Sequence, residues 1–106
     1  MISQLEKLLG TPRDGALLRY SLGLEHAKAG NAERAAEYLQ EAVAKDPLYS
    51  AAWKMLGKTL SELKRDEQAL QAYHHGIEAA KKKGDRQAEK EMTVFARRIE
   101  KQLGKT

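Results

Sequence analysis

Shifting the sequence by 34 residues lays it over itself. Leu22 falls on Leu56, Gly23 on Gly57, Ala35 on Ala69, Leu39 on Tyr73 and Ala42 on Gly76. All five pairs agree in size, small over small and large over large. A period of this length marks one supersecondary unit whose apolar face is covered only by its neighbours, so the chain must fold as a stacked array. At 106 residues it is one domain by length. Two prolines and few β-branched residues argue against a sheet, so the stacked units are helical.

The spacing predicts where those helices run. Ser3 with Glu6 is a candidate capping box ahead of a short stripe, Ile2, Leu5 and Leu9, giving a leading helix over 2–10. Thr11-Pro12-Arg13-Asp14 offers a cap, a first-position proline and an acid, and predicts a helix from about 12 to 29 that stops at Gly30. Asn31 caps a helix to about 45 with Ala35, Leu39, Ala42 and Val43 inward. Asp46-Pro47 starts another to about 63, and Asp66 caps a fifth to about 82 with Ala69, Tyr73, Ile77 and Ala80 inward. Gly84 ends it, and the last helix, 85–103, turns Ala88, Met92, Phe95, Ile99 and Leu103 to one side. Short connections make neighbours antiparallel.

Within this frame, Trp53-x2-Leu56-Gly57-x2-Leu60 followed by Ala69-x3-Tyr73 resembles the tetratricopeptide repeat pattern. Arg19-x2-Leu22-Gly23-x2-His26, Ala35-x3-Leu39 and Pro47 resemble the same pattern with substitutions. The resemblance implies an all-α fold of antiparallel helix hairpins stacked as a short right-handed α-solenoid. It divides the chain into a leading helix, repeat one (12–46), repeat two (47–83) and a capping helix. Lys81 stands where a further repeat would place proline, so the array is expected to finish there. Gly57 costs about 1 kcal/mol of helix propensity, and the expected offset is close approach of Gly23 to Ala35 and Gly57 to Ala69 across each hairpin. Trp53 is expected between adjacent repeats, where truncation costs about 3–5 kcal/mol.

Catalytic chemistry finds no foothold in the sequence. No phosphate-binding glycine loop, nucleophile elbow or cysteine occurs. His26 holds a position that the repeat gives to a packing aromatic, while the adjacent His74 and His75 cannot share one helix face. Glu33, Glu37 and Glu41 line one solvated face. We therefore expect no enzyme, no metal and no cofactor. No apolar run reaches the roughly 20 residues that span a bilayer, and the N-terminus is unlike a secretory signal. The default expectation is a cytoplasmic protein.

In tetratricopeptide proteins the first helix of each repeat lines a concave groove that grips a partner segment. By this resemblance the groove positions are Leu17, Tyr20, Leu24 and Ala27 in repeat one, and Ala51, Lys54, Lys58 and Ser61 in repeat two. Each set also shares one helix face. Tyr20 and Leu24 offer apolar contact and the lysines a positive edge, suiting a segment with apolar anchors and a carboxylate. The carboxylate clamp of co-chaperone repeats is absent: Tyr20, Leu24 and Met55 occupy its positions. Two alternatives stay open. In the first, the groove serves a second copy of the chain, since two repeats are fewer than the three usually needed to bury a core. Residues 81–106 carry nine bases against four acids, while 1–80 carry ten against eleven. Binding of nucleic acid or an acidic partner through Lys81, Lys82, Lys83, Arg86, Arg97 and Arg98 is the second alternative, disfavoured for nucleic acid by the lack of stacking aromatics nearby.

Overall fold

The computed structural model describes residues 1–104, so Lys105, one of the nine C-terminal bases, lies outside the described residues. Six helices follow one another: α1 (Ile2–Glu6), α2 (Ala16–Lys28), α3 (Ala32–Lys45), α4 (Ser50–Glu62), α5 (Asp66–Lys83) and α6 (Arg86–Gln102). The described residues contain no strand, and none of their helices is long and apolar enough to cross a membrane. α2 with α3 and α4 with α5 form two antiparallel hairpins, and α6 packs on α5 to close the stack.

Helix ends follow local chemistry. Asn31 caps α3 by accepting from the Arg34 N–H at 3.2 Å, and Asp85 caps α6 through the Ala88 N–H at 3.1 Å, satisfying donors that the first turn leaves free. Gly84 ends α5 in the left-handed conformation at φ +73°. At four starts the observed structure corrects the sequence reading. The expected Ser3 cap is wrong: Ser3 lies inside α1 and Met1 precedes it without a side-chain bond. Helical structure there stops at Glu6, and residues 7–10 form turns. α2 begins at Ala16 rather than 12, because the Asp14 carboxylate instead accepts from the Gly10 N–H and the Arg19 guanidinium. α4 begins at Ser50 rather than 47: Asp46 accepts from the Leu48 N–H at 3.1 Å, holding a turn around Pro47. Asp66 is the first helical residue of α5, not its cap.

A single core joins the second hairpin, α6 and the inner face of α3. Leu39, Leu56, Met92, Ala42 and Ala69 are buried together within it. A smaller cluster at the N-terminal end sets Leu18, Leu22 and Tyr38 against Ile2, Leu5, Leu8 and Leu9. There the Tyr38 hydroxyl donates to Glu6 at 2.9 Å and accepts from Arg34 at 2.9 Å, tying α1 to α3. His26 stacks on Tyr38 at 5.4 Å; its buried Nε2 lies 3.8 Å from Glu6, beyond hydrogen-bond reach. Its boundary position matches the expectation from the repeat.

The glycines fit differently from the sequence reading. A Cβ on Gly57 would stand 2.5 Å from the Tyr73 ring, and one on Gly23 would stand 2.7 Å from Leu39. The main neighbour is thus the large residue one turn beyond Ala69 or Ala35, and each glycine is a socket for it. Gly76 repeats the device on α5, meeting Met92 of α6 and, at 2.7 Å, Trp53 Cβ of α4. Trp53 is half-buried and stays largely within its own hairpin. Its ring stacks on His75 at 5.0 Å and its indole N–H donates to the Pro47 carbonyl at 2.7 Å.

Candidate functional site

Because α4 and α6 both lean on α5 and barely touch each other, a cleft opens between them. It encloses about 550 Å³ and is lined by Lys54, Met55, Lys58, Ser61, Glu62, Tyr73 and Phe95. A shallower extension of about 160 Å³ continues past Ser61 to Arg98, Ile99 and Gln102. Tyr73 reaches this wall from the second helix of the hairpin through the space that Gly57 leaves open. Its ring meets Phe95 at 5.6 Å in a tilted pair, a favourable aromatic geometry. Arg98 lies 5.9 Å from the centre of the Phe95 ring.

Charge at the cleft mouth is mixed. Lys54 donates to Glu91 of α6 at 2.8 Å, latching the two walls. Lys58, one turn on, is exposed and has no ion pair among the described residues. The positive edge read from sequence therefore consists of one latched and one free ammonium. Burial, with the nearby Glu62 carboxylate adding to it, pushes the Tyr73 hydroxyl up to about 12, so at neutral pH it stays a phenol.

Of the eight groove positions, Lys54, Lys58 and Ser61 share this cleft. Tyr20 packs its ring on Tyr49 at 4.9 Å, bridging the hairpins. Leu24, Ala27 and Ala51 are half-buried, and Leu17 stands 68% exposed at the start of α2. Sequence reasoning missed Met55, Tyr73, Phe95 and Arg98. The signal for Tyr73 was present in the pairing of a glycine with a large residue sixteen positions later. That for Phe95 was not, since it depends on α6 lying beside α4.

Glu33, Glu37 and Glu41 are each matched with an arginine, Arg65, Arg34 and Arg19 respectively. No group of three histidine or carboxylate side chains among the described residues could hold a metal.

Comparison with known proteins agrees with this architecture. Residues 26–89 match the family model described as tetratricopeptide repeat. The chain is 50% identical over 101 residues to the TPR repeat-containing protein PA0015 of Pseudomonas aeruginosa, covering 95% of this chain and 96% of that one. The solution structure of protein BPP2914 from Bordetella parapertussis is similar at 39% identity and TM-score 0.79, covering 96% of this chain and 89% of its own. The crystal structure of the Sgt2 TPR domain from Aspergillus fumigatus is similar in fold at 25% identity and TM-score 0.81, covering 99% of this chain and 69% of its own.

Proposed function

The chain belongs to the tetratricopeptide repeat family, and from that premise we propose that it is a non-catalytic module that grips a segment of a partner protein along its concave face. Proteins of this family are in general interaction scaffolds rather than catalysts. The proposed contact surface runs from Leu17, Tyr20, Leu24 and Ala27 to Ala51, Lys54, Lys58 and Ser61, and ends in the cleft against α6. The observation that carries this reading is the aromatic-floored cleft of about 550 Å³ with the unpaired Lys58 at its mouth. Its chemistry suits a bulky apolar side chain followed by a carboxylate, for burial of an apolar anchor supplies most of the affinity of such a segment and one charge its orientation.

A second reading rests on Leu17, which stands 68% exposed one turn from Tyr20 on the same helix face. In it the same face closes on a second copy of the chain. Capture from host lysate with wild type, a folded Tyr20→Asp, Lys58→Glu variant and the convex-side control Gln71→Glu separates the readings. The expected result is one partner retained by wild type and control and lost by the groove variant. A partner held equally by all three overturns the groove assignment. Recovery of only the chain itself, with a mass that rises with concentration and falls on Tyr20→Asp, makes self-association the function.

A further inference from the structure

The outer face of α6 carries charge of one sign. At 3.6 residues per turn, Arg86, Lys90, Val94, Arg97 and Lys101 fall within an arc of about 80°, opposite the buried Ala88, Met92, Ala96 and Ile99. All five are exposed, Val94 at 46%. None of the four cations has an ion pair among the described residues, whereas Arg19, Arg34 and Arg65 on the preceding hairpins are all paired. Two carboxylates flank the row on one side: Glu100, which lies 4.0 Å from His74 of α5, and Glu89, which with Arg86 and Lys90 lines a depression of about 350 Å³ at the start of the helix. An outward face that only needed hydration would do as well with mixed charge, as the outer face of α3 has.

Position matters as much as sign. Lys90, Val94, Arg97 and Lys101 are spaced four, three and four residues apart, the spacing of a seam between two packed helices. They span about 16 Å along the axis. This is the surface on which another helix would pack if the array continued.

We propose that the outer face of α6 is a second docking surface, and that its occupant is an acidic amphipathic helix of a partner protein. Carboxylates of that helix lie against Lys90, Arg97 and Lys101, and an apolar residue covers Val94. Charge complementarity selects the acid, and Val94 among the cations on one helix face suits an amphipathic helix that sets one apolar residue among its carboxylates. The central valine disfavours a phosphate backbone, which would leave it against water, and the one ring nearby, Phe95, is packed on Tyr73. A second copy of this chain is a poor occupant, because its row of glutamates on α3 is already matched with arginines.

Fluorescence anisotropy on the full chain tests this. The probe is a lactam-locked helical peptide with glutamates facing Lys90, Arg97 and Lys101 and a leucine facing Val94. A locked peptide of the same composition in scrambled order and a DNA oligonucleotide serve as competitors. The expected result is saturable binding of the ordered peptide, weakened about tenfold by Lys90→Glu, Arg97→Glu and weakened also by Val94→Asp. Lys58→Glu, in the cleft, leaves it unchanged. Circular dichroism on each variant checks folding, which exposed positions should not disturb. Equal affinity for the scrambled peptide, tighter binding of the DNA, insensitivity to charge reversal or absence of binding would each overturn the proposal.

Discussion

The two hairpins solve one joint with different chemistry. Thirty-four residues carry Arg19 onto Trp53 and Glu41 onto His75. In the first hairpin Arg19 pairs across to Glu41 and back to Asp14 in the preceding turn, at 2.8 Å for the latter. In the second, Trp53 stacks across on His75 and donates back to the Pro47 carbonyl. Each residue therefore links the same two places, the facing helix and the turn before its own. The repeat fixes the positions to be joined and leaves open whether ions or rings join them. The choice has consequences, since salt screens an ion pair and leaves a ring stack in place.

The sharpest break in this comparison is at the sockets. Gly57→Ala would press a methyl group on the stiff Tyr73 ring and is expected to destabilise by about 2–3 kcal/mol, in spite of alanine's better propensity. Gly23→Ala meets Cγ of the buried Leu39 at 2.7 Å, a slightly longer approach to a smaller side chain, and should cost less. Equal losses in urea denaturation would show that the two sockets do not differ.

The linkers come next. Because Trp53 is half-buried, Trp53→Ala should cost about 2 kcal/mol, below the range expected for a fully buried ring, and Arg19→Ala should cost less again. The ion pair also carries a pH dependence of its own. The Arg19 guanidinium, with the Gly10 N–H assisting, holds the Asp14 carboxyl well below the usual carboxylate range. A depressed folded pKa means the unfolded chain binds more protons, so this contribution is present above about pH 4 and lost as pH falls through the folded value. Asp14→Asn is therefore expected to weaken the protein at pH 7 and converge on wild type in acid. A constant difference down to pH 2 on thermal melts would mean that the pair contributes through packing alone.

The smallest effect lies where the helices end. Gly30 and Lys64 are also 34 residues apart, and both adopt positive φ, +81° and +63°. Gly30→Ala should cost about 1 kcal/mol, while Lys64→Gly should be neutral or stabilising by a few tenths of that. Destabilisation by Lys64→Gly would mean that the lysine side chain contributes contacts outweighing its strain.

Much of this molecule was legible in the sequence, and the boundary of legibility has a physical origin. Asn31, Asp85 and Gly84 act within one turn of themselves, and they end or begin helices where local chemistry says. Thr11, Asp46 and Asp66 carry equally good capping groups, yet Asp46 is engaged in a tight turn and Asp66 is already helical. Which of several local bonds a side chain makes is decided by the path of the chain around it, which a capping group alone does not fix. The same limit applies to the cleft. Lys54, Lys58 and Ser61 share a helix face and can be grouped from spacing alone. Tyr73 and Phe95 join them only because α4 and α6 lie side by side on α5, which no spacing within one helix encodes.

That shared seat on α5 gives the two arms of the cleft different supports. One arm, α4, is seated on a rigid ring, Tyr73 in the Gly57 socket. The other, α6, is seated through Met92 in the Gly76 socket, an unbranched side chain that adjusts to its surroundings. Force from a guest entering between the arms meets unequal stiffness. Should a guest of the proposed kind enter, α6 is the arm expected to yield, and the guest's size would then be recorded in the tilt of the terminal helix.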